Sequence, residues 1–482
     1  KNRASANQLE REFAPRLDSS GTIFPDESSL RPYQLDVLNS WESSGRKGIV
    51  KHATGSGKTF TALFAMRRHL SEGGICLVIV PSRLLLQQWN IEIPKIIPGV
   101  KNRILNVGGG HSLWKKHLGT FSKPSSSRAA KIIVAIADSA KTDAFLDNLN
   151  GGDHLMVISD EVHRLGSSQN SLILNKLESG ARLGLSATPE RFMDPLGTER
   201  IFDYFGGILE PIYELKDAIG KALVPYNYYP TQCVLTEDEL DRWVELSTVI
   251  NKLCASCKVN SNGELIPSDF LKLKLIERAR IAKQAENKVS LTRKVLVENF
   301  HAGEKWLVYC DSTKQMSDIA ESLDSMNISS SFYHSKMHDL EKAQALRNFK
   351  INGGILLSIK CLDEGIDIPS ITHALIVASD QNPRQFIQRR GRVLRKDPLN
   401  TGKNKAYIWD IILTVGDSNI HVNLIKGLCI AELKRSIEFS RYSSNFEISS
   451  KKLRDIARRA CITQDDLEYS LEDIEELEEN KS

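Results

Sequence analysis

Short β-branched apolar runs alternate with helical patterns in two separate blocks of this chain, and no other feature constrains the fold as strongly. The first block holds the runs 48–52, 75–80, 103–107, 131–136, 155–159 and 181–185. The second holds 305–310, 330–333, 355–359, 373–378 and 405–410. Strands that are apolar throughout and alternate with helices belong to parallel sheets covered on both faces. Two α/β domains are expected, in keeping with a chain of 482 residues.

Between the blocks the periodicity turns helical. Thr236 and Glu239 are spaced as a capping box, and Leu240, Trp243, Val244, Val249, Ile250 and Leu253 recur on one helical face. A turn-rich loop over 258–267 interrupts this pattern, and a second helical stretch over 268–300 carries Lys272, Lys274, Arg278, Arg280, Lys283, Lys288, Arg293 and Lys294. The expected layout is therefore an N-terminal segment 1–29, an α/β domain 30–232, a basic helical insertion 233–300, a second α/β domain 301–415 and a helical extension with an acidic tail 416–482.

Charged residues are 26% and hydrophobic residues 41%, the mix of a globular protein and not of a disordered, collagen-like or disulfide-scaffold chain. No apolar run approaches the ~18 residues that cross a bilayer, so no membrane partner is expected. Net charge is +4, but the stretch 465–479 holds nine acids and no base, and without it the net charge is +13. A basic body with an acidic end suits a polyanionic partner. Eight cysteines scattered along a long chain fit a reduced, cytoplasmic protein. The start carries no targeting pattern, and Lys1 in place of Met suggests a fragment with a domain upstream.

The segment Ala53-Thr54-Gly55-Ser56-Gly57-Lys58-Thr59 follows an apolar strand and opens a helix. In that context glycines let backbone N–H groups turn toward a phosphate at a helix N-terminus, Lys58 adds a cation for the β and γ groups, and Thr59 offers a hydroxyl to Mg²⁺. His52 stands where the general pattern has its first glycine. The strand 155–158 then delivers Asp160-Glu161-Val162-His163 at its C-terminal end, the edge where open α/β sheets bind ligands. Asp160 can hold the metal through its water shell, and Glu161 can orient and deprotonate an attacking water. Ser186-Ala187-Thr188 follows another strand in the same order along the chain.

This series resembles the superfamily 2 helicases and translocases of the DEAD/H-box type, whose fold is two RecA-like parallel-sheet P-loop domains in tandem. Leu30-Arg31-Pro32-Tyr33-Gln34 stands where that superfamily places its adenine-reading Gln, which gives Arg31 and Gln34 a nucleotide role. Pro81-Ser82-Arg83 with Gln88-Trp89 is similar to motif Ia, Gly108 to Gly110 to the glycine pair, Asp138-Ser139 to motif Ib, and Asp363-Glu364-Gly365-Ile366-Asp367 to motif V. Gln388-Arg389-Arg390-Gly391-Arg392-Val393-Leu394-Arg395 is similar to motif VI. The resemblance implies ATP bound between the lobes, Gly365 and Asp367 near the ribose, Gln388 near the γ-phosphate, and Arg392 and Arg395 as transition-state charges. It also makes Lys58, Asp160, Glu161 and His163 the catalytic set of the first domain, with Thr59 and Asp160 holding magnesium.

Phosphate contacts carry most of the affinity of such motors and no base sequence. The candidates are Arg83, Gly109, Lys115 and Ser139 on the first domain and Ser312, Ser358 and Lys360 on the second. Ile359 replaces the hydroxyl usual in motif V, and Ala137 the Thr of motif Ib. Tyr226, Tyr228 and Tyr229 are either base-stacking residues or a packed domain exit, the latter being favoured. Cys254-Ala255-Ser256-Cys257 lacks a matching second pair, so packing is favoured over zinc. The resulting expectation is an ATP-hydrolysing DNA helicase or duplex translocase of the repair, restriction or antiviral-defence kind. An RNA helicase, and a slowly hydrolysing DNA-binding scaffold that recruits a nuclease partner, stand as alternatives.

Overall fold

The computed structural model describes residues 25–124, 130–191, 194–259, 265–359, 370–378, 383–397, 402–414, 422–463 and 466–467. The contacts divide the chain into two units, with the main division in the sequence between Ala218 and Ile219.

The first unit is built on seven strands: β1 (Lys47–His52), β2 (Ile75–Val80), β3 (Ile104–Val107), β4 (Lys131–Ile136), β5 (Gly152–Asp160), β6 (Ser179–Ser186) and β7 (Ile208–Tyr213). Their order is β3-β4-β2-β5-β6-β1-β7, and every pairing is parallel. β2 is buried at all six positions, the pattern of a strand covered on both faces. One apolar cluster on this sheet gathers Trp41, Phe64, Met66 and Trp89 from the helices Pro32–Ser43, Lys58–Ser71 and Arg83–Ile96. The other gathers Trp114, Phe145, Ile201 and Phe205. Parallel strands present all their C-terminal ends at one edge, so each chemistry-bearing segment that follows a strand emerges on that edge.

The second unit has six main strands: β8 (Tyr226–Val234), β11 (Lys305–Cys310), β12 (Ser330–Tyr333), β13 (Gly354–Ile359), β14 (His373–Ile376) and β15 (Ala406–Thr414), with a short hairpin of β9 (Lys258–Val259) and β10 (Leu265–Ile266). The order is β12-β13-β11-β14-β15-β8, again all parallel. The residues around the expected boundary at 232 fold differently from that expectation. β8 pairs with β15 over nine residues, from Tyr226↔Ala406 to Val234↔Thr414, so this strand belongs to the second sheet and the division falls before it. Tyr226 and Tyr228 are fully buried and Tyr229 stacks on Trp409 at 4.8 Å, which removes them as base-stacking residues. The helices of the insertion (Glu237–Ala255, Asp269–Lys283, Asn287–Asn299) and of the extension (Val422–Arg441, Phe446–Arg459) are also part of this unit. The basic stretch is partly neutralised within its own helices: Lys272 pairs with Asp269, Lys274 with Glu277, and Arg278 lies over the Trp243 ring.

Candidate nucleotide site and nucleic-acid edge

Three neighbouring strands bring the first site together. β6 lies between β1 and β5, with Lys51 opposite Ser186 and Asp160 opposite Leu185. The loop 53–57 after β1, Ser186-Ala187-Thr188 after β6 and Asp160-Glu161 at the end of β5 therefore share one edge.

The loop is shaped by two left-handed glycines, Gly55 at φ +85° and Gly57 at φ +95°. A Cβ on Gly57 would also stand 2.6 Å from Gln34 Nε2. That amide donates to the carbonyls of Ser56 (3.3 Å) and Gly57 (3.2 Å), while Gln34 Oε1 accepts from Arg31 N (2.9 Å). Tyr33 donates its hydroxyl to the Ser56 carbonyl at 2.6 Å and stacks on Tyr213 with centroids 3.7 Å apart. Gln34, Tyr33 and Tyr213 thus grip the outside of the loop. Tyr213 lies on β7, a strand outside the expected runs, and nothing in its local sequence announces this role. Arg31 is exposed and reaches the Tyr33 hydroxyl at 3.1 Å. Inside the loop, Lys58 Nζ donates to the carbonyls of His52 (2.9 Å) and Ala53 (3.3 Å), Thr59 sits in the first helical turn, and Thr54 is half-buried. Ser56 Oγ is buried with no hydrogen-bond partner, an orphaned donor in a cradle of backbone amides.

His52, in the place of a glycine, is buried beneath this loop. Its Nε2 lies 3.0 Å from the Pro211 carbonyl, so that nitrogen carries the proton of a neutral ring. Burial pushes its pKa down to about 4, against the Pro211 hydrogen bond, and the Lys58 charge pushes the same way. Because the folded value lies below the unfolded one, the unfolded chain takes the proton first, and stability present above pH ~6.5 is lost as the pH falls toward 4. The expected loss is about 3 kcal/mol. Melting profiles from pH 7 to 4 should show a shallower acid slope in His52→Gln than in the wild type; equal slopes would show an unperturbed His52.

Asp160 is oriented at both oxygens: Oδ2 accepts from the buried Trp89 indole at 3.0 Å and Oδ1 from Glu161 N at 3.1 Å. A carboxylate with a Thr59 hydroxyl is the hard oxygen set that suits Mg²⁺. Glu161 holds a left-handed backbone, φ 50° and ψ 52°, unusual for a residue with a Cβ and of the kind found at functional sites. His163 is buried, with Nδ1 3.5 Å from Glu161 Oε2 and 3.2 Å from Ser186 Oγ, which in turn accepts from Thr188 N at 3.1 Å. Its position makes it the link between the acidic pair and the Ser-Ala-Thr turn. Arg191 fixes this link from outside, donating to the His163 carbonyl at 2.5 Å and pairing with Asp194 at 2.6 Å. Trp89 is read in the sequence only as part of the motif Ia resemblance and not as a partner of Asp160, and Arg191 has no signal beyond following the Ser-Ala-Thr motif.

Farther along the same edge the ends of β2, β3 and β4 unite the expected nucleic-acid residues. A Cβ on Gly108 would run into Ser139 Oγ, and one on Gly109 would stand 3.2 Å from Arg83 Cγ. Gly108 and Gly109 both have positive φ, so the turn after β3 can approach Arg83 and Ser139 only as glycine. Lys115 is exposed beside the Trp114 ring.

In the second unit Ser312 caps the helix Thr313–Asp324, its Oγ accepting from Gln315 N at 3.2 Å. Ser358 is completely buried in β13, so its hydroxyl cannot meet a phosphate there and is withdrawn from the contact set. Lys360, Gly365 and Asp367 fall outside the described residues, as does the Gln388 side chain. Arg392 is half-buried in the last turn of the helix Pro383–Val393, and Arg395 forms a bridge with Leu223. Arg389 and Arg390, by contrast, are buried.

Comparison with known proteins agrees with this geometry. Residues 27–191 match the family described as type III restriction enzyme, res subunit, and residues 287–397 the helicase conserved C-terminal domain. The DNA 3′-5′ translocase XPB2 of Sulfurisphaera tokodaii is 26% identical over 421 residues, covering 83% of this chain and 85% of that protein. The yeast (Saccharomyces cerevisiae) general transcription and DNA repair factor IIH helicase/translocase subunit XPB/SSL2 is 22% identical, covering 80% of this chain and 42% of its own length. Among solved structures, the helicase domain of Pyrococcus furiosus Hef superposes with a TM-score of 0.52 at 15% identity, covering 80% of this chain and 96% of that one. The DNA-bound type ISP restriction-modification enzyme LlaBIII gives 0.55 at 16%, covering 90% and 33%. Both structures share the tandem RecA-like fold.

Proposed function

We propose that this chain, which belongs to the superfamily 2 helicases, works as a DNA translocase or helicase that couples ATP hydrolysis to movement on nucleic acid. The observation that carries the proposal is the convergence of the loop 53–59, Ser186-Ala187-Thr188 and Asp160-Glu161 on three adjacent strands of one sheet. The cradle of Gly55, Ser56 and Gly57 with Lys58 would hold the β- and γ-phosphates, and Thr59 with Asp160 would hold magnesium, which supplies charge neutralisation for phosphoryl transfer when bound. Glu161, steadied by His163, would take the proton of the attacking water. Gln34 would report nucleotide binding through the loop carbonyls it grips. Arg392 and Arg395 would add transition-state charge from the second unit, with Gly365, Asp367 and Gln388 as nucleotide contacts beside them.

On the first unit, Arg83, Gly109 and Ser139 would hold the phosphate backbone, joined on the second by Ser312 and Lys360. DNA is favoured over RNA by the names of the relatives, two of which are DNA translocases or repair helicases. No disulfide joins two of the described cysteines, which is compatible with a reducing cytoplasmic setting. The restriction-enzyme match supports a role in antiviral defence beside one in repair, with a nuclease on a partner chain.

The test is ATP turnover measured in parallel with single-stranded DNA, duplex DNA and RNA, with and without Mg²⁺. DNA should stimulate turnover, RNA should not, and binding should weaken steeply with salt. Stimulation by RNA alone would overturn the substrate reading, and equal slow turnover in every arm would favour a nucleotide-dependent scaffold.

A further inference from the structure

The sequence presents Arg389, Arg390, Arg392 and Arg395 as one basic run, but the fold separates them. Arg389 donates to the Ala378 carbonyl at 2.8 Å and lies over the Tyr309 ring, which pins the helix Pro383–Val393 to the sheet of its own unit. Arg390 turns to the other side. Its Nη2 pairs with Glu438 Oε1 at 2.7 Å, its Nη1 reaches the Glu438 carbonyl at 3.4 Å, and its guanidinium lies 4.8 Å from the Phe439 ring centroid. Arg390 is 3% exposed, so its charge is held away from water, while the Glu438 side chain that pairs with it is 36% exposed.

The helix that carries Glu438 is fastened to the sheet. Glu438 lies three residues beyond Arg435 on the helix Val422–Arg441, and Arg435 pairs at 3.0 Å with the completely buried Asp410 of β15 and at 3.0 Å with Glu432. Asp410 also accepts from the Tyr228 hydroxyl at 2.7 Å, and the Tyr226 hydroxyl donates to the Phe439 carbonyl at 2.6 Å. Asn445, just past that helix, receives Tyr228 N at 2.8 Å and donates to Tyr228 O at 3.0 Å, sealing the free edge of β8 as a strand would. The helix Val422–Arg441 and the turn after it are thus fastened to β15 and β8 at several points, and Glu438 is the point at which this helix grips the one that carries Arg392.

We infer that Glu438 is a positioning residue for this helix: through Arg390 it sets where Arg392, two residues on, can place its guanidinium. The inference rests on the proposed role of Arg392 and deepens it, because it makes the extension 422–459 part of the hydrolytic machinery of its unit. Only the Arg390 end of this pair is buried, so neutralising the partly exposed Glu438 costs little of its own solvation but leaves the Arg390 charge without its carboxylate and favours a shift of that side chain. Arg390 and Arg392 share the last turn of the helix but point to different sides of it, so the effect reaches Arg392 through a shift of that turn and not through side-chain contact. A displacement of 1 Å in such a positioning group can cost ~10²-fold in rate.

The experiment compares wild type, Glu438→Gln, Arg392→Ala and the double variant in DNA-stimulated ATP turnover on the full chain, together with thermal melting. Glu438→Gln keeps the shape and an acceptor oxygen but loses the charge. The expected result is a kcat lowered roughly tenfold or more with the KM for ATP unchanged, a melting temperature within a few degrees of wild type, and no further loss when it is added to Arg392→Ala. Unchanged turnover in Glu438→Gln would overturn the inference, and so would a loss that multiplies with that of Arg392→Ala or that appears equally in kcat, KM and melting. If Arg392→Ala alone keeps full turnover, what fails is the assignment of Arg392. In that case a kcat loss specific to Glu438→Gln overturns the route through Arg392 as well.

Discussion

Lys58→Ala is expected to abolish DNA-dependent ATP turnover. The loop 53–57 offers backbone amides and hydroxyls to a triphosphate but no other cation, so nothing in it replaces the ammonium. In the structure that ammonium is bonded to the carbonyls of His52 and Ala53, which keeps the loop wrapped around the position it guards. Alanine removes the charge and both hydrogen bonds together, so nucleotide affinity should fall along with turnover. Glu161→Gln provides the contrast. An amide keeps the size of the side chain but cannot accept the proton of water, a loss of ~10²-fold or more for a general base, while ATP affinity should stay near wild type. Nucleotide binding by fluorescence and turnover by phosphate release, measured on both variants, decide the matter. Wild-type turnover in Lys58→Ala would sink the site, and loss of binding in Glu161→Gln would make Glu161 a structural residue of its left-handed turn.

What the sequence could show of this arrangement follows from which interactions are local. The parallel strands were legible because burial on both faces demands uninterrupted Val, Ile and Leu, as in β2 and β4. β8 was not, because Tyr226-Asn227-Tyr228-Tyr229-Pro230 has neither that composition nor alternation. It is an edge strand, where a proline costs no ladder hydrogen bond on the open side and where tyrosine hydroxyls find partners in Asp410 and Phe439 from more than 180 residues away. The phosphate loop and the acidic pair were legible because their chemistry needs fixed residue types at fixed spacing after a strand. The grips on them, Trp89 on Asp160, Arg191 on the His163 carbonyl and Tyr213 on Tyr33, come from separate elements, and such contacts leave no spacing to read. The buried Ser358 shows the reverse case: a hydroxyl beside a motif invites a functional reading that only its exposure can decide.

The different degrees of burial along the run 389–395 direct the second large effect. Arg389 and Arg390 are committed to Ala378 and Glu438, whereas Arg392 is half-buried at the end of its helix and Arg395 follows in the bridge to Leu223. If the latter two supply transition-state charge, the protein without DNA should be a slow ATPase and DNA should stimulate it strongly, because an arginine delivered to a transferring phosphoryl group is worth ~10³ to 10⁵ in turnover. Arg392→Ala or Arg395→Ala is then expected to remove most of the stimulation while leaving DNA affinity in the absence of nucleotide close to wild type, since neither side chain is needed to hold the phosphate backbone. Arg389→Ala and Arg390→Ala should behave differently, lowering the melting temperature as well, because the first removes a donor from the buried Ala378 carbonyl and the second removes the tie to Glu438 and Phe439 of the helix Val422–Arg441. Turnover titrated with duplex DNA, alongside affinity measured without nucleotide, separates the two classes. Full stimulation in either Arg392→Ala or Arg395→Ala would strike that arginine from the hydrolytic set, and a parallel fall in DNA affinity would reassign it to the nucleic-acid surface.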